Sequence, residues 1–351
     1  MSAERVLTQR QLNRAVLARQ LLLERADLPP AKALERIGGI QAQYAPSMYI
    51  GLWTRLANLG RVDLTAALER RSVVQGTLMR VTIHLVSRRD YWPIALATRA
   101  ARRALWLRTH KDVTEEEMAH AAASVATALH AAPDGVLTRK DLDAIAGKEH
   151  AIGVGLWRDL VRVPPSGTWD RRRADLFGDA EAWLGAADAT PQEGAELLVR
   201  RYLSGFGPAA PADVAAWAGI PVTDVTAALE RLPLRRFRAE DGTALVDLPR
   251  LPLPAADTPA PVRFLPTFDA TLLAHARRAR ILPEEHRPKV FHTKMPQSVG
   301  TFLVDGSVAG RWRLDRGGRV VAEPFGRLDA ADRRALDAEA ERLAAFCADP
   351  G

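Results

Sequence analysis

Gln41 and Gln43, one residue apart and just after Gly38-Gly39, are the side chains whose type and spacing point most directly to chemistry. A helix-like run, Ala31-Lys32-Ala33-Leu34-Glu35-Arg36-Ile37, leads into the two glycines, which accept a left-handed backbone and so end helices. The glutamines are therefore expected in a non-helical elbow. In a helix, residues two apart point about 200° apart, whereas in an extended segment they emerge on one side. Two primary amides would then converge on one small polar object. An amide is a poor acid and a poor base, but it carries two donors and a carbonyl that accepts twice. A pair can hold a water molecule and aim its dipoles at developing charge. That suffices where the leaving group needs little help, as with a purine alkylated at N7, which is already cationic. The plain alternative is two polar residues leaving a helix.

The rest of the sequence narrows the setting. At 351 residues the chain is long enough for two to four modules. Hydrophobic residues at 47% and charged residues at 26% are ordinary globular usage. The single cysteine, Cys347, excludes an internal disulfide framework. Eight histidines are scattered without metal-site spacing, and no glycine-rich phosphate loop is present, so neither metal nor cofactor is expected. No signal peptide and no apolar run of about 20 residues is seen, so a cytoplasmic, nucleoid-associated location is expected. Lysine plus arginine number 49 against 42 acidic residues, a balance of +7. Such a charge suits phosphate contacts.

Candidate nucleic-acid residues follow from the basic clusters. Arg70-Arg71, Arg171-Arg172-Arg173, Arg235-Arg236 with Arg238, and Arg277-Arg278 with Arg280 recur along the chain, with Lys294 near its end. Arg171, Arg172, Arg235, Arg236, Arg277, Arg278 and Lys294 are the DNA-binding candidates, solvated faces being the alternative. Arg80 suits a phosphate because its guanidinium fork matches that geometry. Thr82 and His84 are candidates for touching a lesion or DNA beside the elbow, although a histidine in an alternating strand is also a common structural residue. Asp269 is read as a carboxylate for chemistry or as the cap of residues 270–276. Trp169 is read as a stacking residue or as core. The stretch His292-Thr293-Lys294-Met295-Pro296-Gln297 is read as a loop tip entering a groove or as a plain connection.

These residues need elements to place them. A helix is expected over residues 4–26 with Thr8 as its cap, and short helices over 48–57 and 63–71, the second opened by Asp63. Two alternating β segments follow, Val73 to Leu78 and Val81 to Val86. Helices followed by a hairpin are the outline of a winged helix. A long helical region over about 88–131 comes next, and the outline then recurs twice. Its second copy has Thr138 capping Arg139 to Ala146, a helix holding Trp157 and Leu160, and a turn-rich segment from Val163 to Trp169. In the third, a helix from Pro211, the turn Gly219-Ile220-Pro221-Val222 and a helix from Thr223 precede a hairpin around Glu240-Asp241-Gly242. Five prolines between Pro249 and Pro261 mark a stiff linker. Val262 to Pro266, Gly300 to Val304 and Val308 to Leu314 read as strands, and a helix over 329–347 ends the chain. The fold expected is α+β and mainly helical: about three tandem winged-helix units (1–131, 132–188, 189–250), a β-rich module (260–328) and a C-terminal helix (329–351).

Taken together, the motifs resemble the bacterial tandem winged-helix DNA glycosylases of the AlkZ and YcaQ type. They are Gly39-Ile40-Gln41-Ala42-Gln43, Met79-Arg80-Val81-Thr82-Ile83-His84-Leu85-Val86, Pro164-Pro165-Ser166-Gly167-Thr168-Trp169 and Phe206-Gly207-Pro208 with Asp213 and Trp217. Leu265-Pro266-Thr267-Phe268-Asp269 and Val304-Asp305-Gly306 with Gly310 and Trp312 complete the set. The resemblance implies removal of bulky N7-alkylated purines from double-stranded DNA by a monomeric, monofunctional enzyme, and unhooking of interstrand crosslinks in DNA repair or antibiotic self-resistance. It makes Gln41 and Gln43 the catalytic pair. The sequence departs from the family pattern at Val81, where the family favours glycine. Two readings without catalysis stand beside this one: a winged-helix transcription regulator, and a protein that shields lesions without excising them.

Overall fold

The structure is a computed structural model that describes residues 4–275, 278–291 and 299–349. The chain opens with a strand, β1 (Arg5–Leu7), and helix α1 (Gln9–Arg19). Thr8 caps α1, accepting from the Gln11 N–H at 3.1 Å while Gln11 Oε1 accepts from the Thr8 N–H at 3.0 Å. The helix expected over 4–26 is thus shorter, because β1 pairs in parallel with a distant strand, Arg5 opposite Phe237, and Leu21 turns left-handed at φ 59°. Helix α2 (Pro30–Ile37), strand β2 (Ile40–Gln41), helices α3 (Ala45–Trp53) and α4 (Arg61–Glu69), and strands β3 (Val73–Thr77) and β4 (Ile83–Ser87) follow. Asp63 lies inside α4 and not at its start: its carboxylate reaches back to the Gly60 N–H at 2.7 Å. The helical region expected over 88–131 is two helices, α5 (Arg88–Thr109) and α6 (Glu115–Ala131). The break is set by a reciprocal cap in which Glu117 accepts from the Thr114 N–H at 2.8 Å and Thr114 Oγ1 from the Glu117 N–H at 3.2 Å.

Strand β5 (Val136–Thr138), helices α7 (Arg139–Ala146) and α8 (Lys148–Gly153), and strands β6 (Leu160–Arg162) and β7 (Leu176–Asp179) come next. Leu160, expected on a helix, opens β6, because that segment pairs antiparallel with both β3 and β7. The two hairpins therefore merge into one six-stranded sheet ordered β2-β4-β3-β6-β7-β5. Helices α9 (Ala180–Leu184), α10 (Pro191–Phe206), α11 (Pro211–Ala218) and α12 (Val222–Glu230) lead to strands β8 (Arg235–Ala239) and β9 (Ala244–Asp247), which form a second sheet, β1-β8-β9. Strand β10 (Arg263–Leu265), helix α13 (Arg287–Val290) and strands β11 (Gly300–Val304), β12 (Ser307–Leu314) and β13 (Val320–Pro324) supply a four-stranded antiparallel sheet, and helix α14 (Ala330–Ala348) ends the description.

The proline-rich linker is strapped to α1 by buried arginines. Arg14 Nε donates to the Thr258 carbonyl at 2.6 Å, and Arg19 Nε to that of Pro252 at 3.2 Å. Arg19 also forms a bidentate pair with Asp247 at 2.7 and 2.9 Å. Two apolar clusters flank the start of β2. One surrounds α10, with Tyr202, Leu203 and Phe206 packed on Trp217, Tyr91 and Val161. The other surrounds α3, joining Tyr49 and Trp53 to Trp169, Phe264, Phe302 and Phe346. Truncating a fully buried ring such as Phe206 would cost about 3–5 kcal/mol.

Candidate active site

Helix α2 ends at Gly38 and Gly39, both left-handed at φ 85° and 79°, and both their N–H groups donate to the Leu34 carbonyl at 3.0 and 2.9 Å. A side chain at Gly39 would lie 3.1 Å from the Leu85 carbonyl oxygen. The chain therefore reverses closely against β4 and runs out as β2, so the elbow is non-helical. Ile40 and Ala42 point into the α3 cluster, so strand alternation sends Gln41 to the opposite side; Gln43 lies past the end of β2, in a bend. Helix α3 starts two residues later.

The two amides differ. Gln41 is 9% exposed and its amide makes no hydrogen bond among the described residues. Gln43 is exposed, and its Oε1 accepts from the Ile83 N–H at 3.1 Å, prolonging the β2–β4 ladder after the Ala42 N–H to Ile83 carbonyl bond of 2.7 Å. That bond fixes the carbonyl direction and leaves its second lone pair available.

His84 stands directly opposite Gln41 on β4, and Gly76 on β3 follows in the same row. The ring of Tyr91 covers Gly76, where a Cβ would meet it at 2.7 Å. His84 is 3% exposed, packed inside the fold and not on its surface. Burial, then the nearby Arg80 charge, pushes its pKa down to about 3, so the ring is neutral. Nδ1 lies 3.0 Å from the Thr82 carbonyl, which can only accept. The proton is therefore on Nδ1, and Nε2 is a bare acceptor. Thr82 is half-buried and its hydroxyl donates to the Met79 carbonyl at 3.0 Å.

Between β3 and β4, Arg80 and Val81 are consecutive left-handed residues at φ 54° and 59°. Arg80 is half-buried and donates to the Trp217 carbonyl in the last turn of α11. Burial lowers its pKa. Its side chain thus ties the hairpin to a helix C-terminus, where a cation is favoured. The left-handed backbone gives the physical reason why glycine suits the Val81 position.

The other candidates scatter. Arg172 donates to the Tyr44 hydroxyl at 3.2 Å, next to Gln43, whereas Arg171 is paired with Asp175 at 3.1 Å. Arg235 is bound to buried Asp247 at 2.7 Å, Arg236 is exposed, and Arg278 lies 4.1 Å over the Phe291 ring. Arg277 and Lys294, with the rest of 292–297, lie outside the described residues. Trp169 is core, edge-on to Tyr49 at 5.7 Å. Asp269 caps the turn at Ala270–Leu272, accepting from the Thr271 N–H at 2.9 Å, and pairs with Arg55 at 2.9 Å through both oxygens. Burial pushes its pKa up, but Arg55 and Thr271 outweigh that and hold it below the usual range.

Sequence reasoning missed Tyr44 and Arg162, which sit at this end of the sheet. Tyr44 is 45% exposed, and its position directly after the glutamines was the available signal. For Arg162 the signal was an arginine inside the apolar strand segment Leu160-Val161-Arg162-Val163. Among the described residues no group of histidine, cysteine and acidic side chains is placed to hold a metal ion, and no helix is long and apolar enough to cross a membrane.

Comparison with curated proteins finds no match. Among solved structures, the Streptomyces sahachiroi DNA glycosylase AlkZ superposes with a TM-score of 0.80 at 22% identity, covering 98% of this chain and 96% of that one. It shares the α+β fold. The model of the AlkZ-like DNA glycosylase family matches residues 34–346, a span that holds the whole elbow and the sheet beneath it. With a match of that extent, the chain belongs to the AlkZ-like DNA glycosylase family and is a glycosylase acting on DNA.

Proposed function

We propose that the chain hydrolyses the N-glycosidic bond of bulky N7-alkylated purines in double-stranded DNA, and that it also unhooks interstrand crosslinks built on such adducts. The observation that carries this reading is the amide pair: Gln41 buried without a hydrogen-bond partner among the described residues, and Gln43 held by the Ile83 N–H, two residues apart at the end of an edge strand. An N7-alkylated purine leaves as a neutral base, so no general acid is needed. The sugar passes through an oxocarbenium-like state, and the enzyme's task is to place a water under C1′ and to present partial negative charge to it. A water donating to the free lone pair of Gln43 Oε1 and to Gln41 Oε1 does both. Gln41 and His84 are directly opposite on adjacent strands and so share a face. The bond between them is not made in the free protein, and we assign His84 the role of a positioning residue whose bare Nε2 accepts from the Gln41 NH₂ once the water and the sugar are in place.

We read the helix pairs and their hairpins as three winged-helix units over 1–131, 132–188 and 189–250, with a β module over 260–328 and a docked helix over 329–351, acting as a monomer. The fusion of two hairpins into one sheet supports a single continuous surface for a duplex. The proposed chemistry forms no Schiff base, so base release should leave an abasic site in an intact strand. The test is a duplex with one N7-alkylguanine, analysed with and without alkali and after borohydride. Strand scission only with alkali and no trapped adduct is expected; scission without alkali plus a trapped protein–DNA adduct would overturn the mechanism. Tight binding with no base release would favour a lesion-shielding role.

A further inference from the structure

Arg162 is a cation without a counter-ion. It is half-buried on β6, and its Nη1 donates to Thr77 Oγ1 at 2.9 Å. Its guanidinium carbon lies 5.2 Å over the Phe177 ring, and its buried Nε has no hydrogen-bond partner. Among the described residues no carboxylate lies within ion-pairing distance, although most other half-buried or buried arginines of this fold have one, as Arg19, Arg55 and Arg102 do. Burial is the main influence on its charge, followed by the Tyr91 hydroxyl and by a second cation, Arg139. A half-buried guanidinium left unpaired is costly. The sheet nevertheless holds it in place: Arg162 pairs in register with Gln75, whose amide is fixed on the Gly167 carbonyl at 2.9 Å, and the Thr77 carbonyl is held from behind by Arg102.

The position matters as much as the missing partner. Thr77 is in register with Ile83, the residue whose N–H holds Gln43. One strand spacing of about 4.8 Å and the two hydrogen bonds put the Arg162 guanidinium on the order of 10 Å from the Gln43 carbonyl. At the 3.4 Å rise per nucleotide of a DNA strand, that is within about three nucleotides of a sugar held at the elbow. We propose that Arg162, seated on Thr77, binds a backbone phosphodiester of the substrate strand within that distance, so that its counter-ion arrives with the DNA. This rests on the elbow being the site of base release. Arg162 is a positioning residue: it stands in the row of Gln75, Leu85 and Ile40, on the face opposite to Gln41, and from there sets the register of the strand that passes Gln43.

The experiment pairs Arg162→Met and Arg162→Lys with duplexes that carry one N7-methylguanine and a single neutral methylphosphonate, placed in turn at each linkage within about three nucleotides of the lesion. Wild type should lose about tenfold or more in kcat/KM at one linkage. R162M should lose a similar factor on the unmodified duplex, be indifferent to that linkage, and stay sensitive to the others, while R162K recovers part of the loss. The slope of log Kd against log salt should fall by about one in R162M. Because an unpaired charge is removed, R162M should unfold at the same or a higher temperature than wild type, which a structural arginine would not allow. Methylphosphonate effects that remain additive with R162M at every linkage, or an unchanged salt slope, overturn the proposal. If wild type releases no base, the reading of the elbow fails by itself; the salt slope on an undamaged duplex still decides the phosphate contact.

Discussion

Replacing Asp269 by asparagine separates a structural carboxylate from a catalytic one. The carboxylate is 5% exposed, accepts from Arg55 Nη1 and Nη2 at 2.9 Å each, and accepts from the Thr271 N–H at 2.9 Å. Arg55 in turn holds the Gly51 carbonyl at 2.8 Å and Gln20 at 3.2 Å, and Gln20 holds the Ile37 carbonyl at 3.0 Å, at the end of the helix that enters the elbow. Gly51 packs against Ile40 on the α3 side of the elbow, where a Cβ on Gly51 would lie 3.3 Å from Ile40 Cδ1, and strand alternation turns Gln41 to the other side. An acid or base must come within about 3.2 Å of its proton, so we read Asp269, joined to Gly51 through Arg55, as a support on the rear of the elbow and not as a group acting on the sugar. Breaking a buried ion pair from one side costs about 3–5 kcal/mol. We expect that loss for Asp269→Asn in urea denaturation followed by tryptophan fluorescence, a similar loss for Arg55→Met, and a double variant well short of their sum. Base release by the folded D269N protein at low temperature should stay within about tenfold of wild type, far from the 10²-fold or greater loss of a group acting on the transition state. A D269N protein as stable as wild type but slowed by that larger factor would refute the reasoning.

Two further predictions concern the hairpin and pH. Val81→Gly relieves a left-handed β-branched residue, worth about 1–2 kcal/mol, against about 0.5–1 kcal/mol of added glycine entropy and the partial loss of a half-buried side chain; stability should stay within about 1 kcal/mol of wild type, and a loss of several kcal/mol, as expected for Val74→Gly in the adjacent strand, would contradict the strain. His84 and His275 are held neutral, with burial the main cause and the Arg80 and Arg280 charges next, which at His275 together outweigh the opposing Asp213 carboxylate, and their pKa values fall to about 3 and about 4. The unfolded chain binds these protons near pH 6.5, so the stability they contribute is complete above that value and is lost as pH falls towards the folded values, by up to about 1.4 kcal/mol per pH unit for each. Unfolding midpoints at constant ionic strength should therefore drop between pH 6.5 and 5, before ordinary carboxylates titrate, and a flat profile there would count against the burial of both rings.

The sequence made the elbow legible because its signals are local: a helix run, two glycines and alternating polarity need no knowledge of what packs around them. The same holds for the Thr8 and Thr138 caps, each found as a cap in the fold. What stayed hidden depends on partners distant in the chain. β1 exists because β8 lies beside it, and Leu160 is a strand residue because β3 and β7 bracket it. Arginine roles were the least legible. Arg80, Arg235 and Arg162 look alike in sequence, yet one ties down a helix end, one pairs with a buried aspartate and one rests on Thr77 with no carboxylate within ion-pairing distance among the described residues. The left-handed backbone at Val81 was equally invisible, since valine gives no sign of it.

The central claim is that the elbow holds the water that breaks the glycosidic bond. Its most direct test is the single-turnover rate of base release from a duplex bearing one N7-alkylguanine, for wild type, Gln41→Ala and Gln43→Ala, with binding to the same duplex measured in parallel. The account predicts release by wild type and a loss of on the order of 10²-fold or more in each variant with DNA binding retained. Variants that release base at the wild-type rate would contradict it.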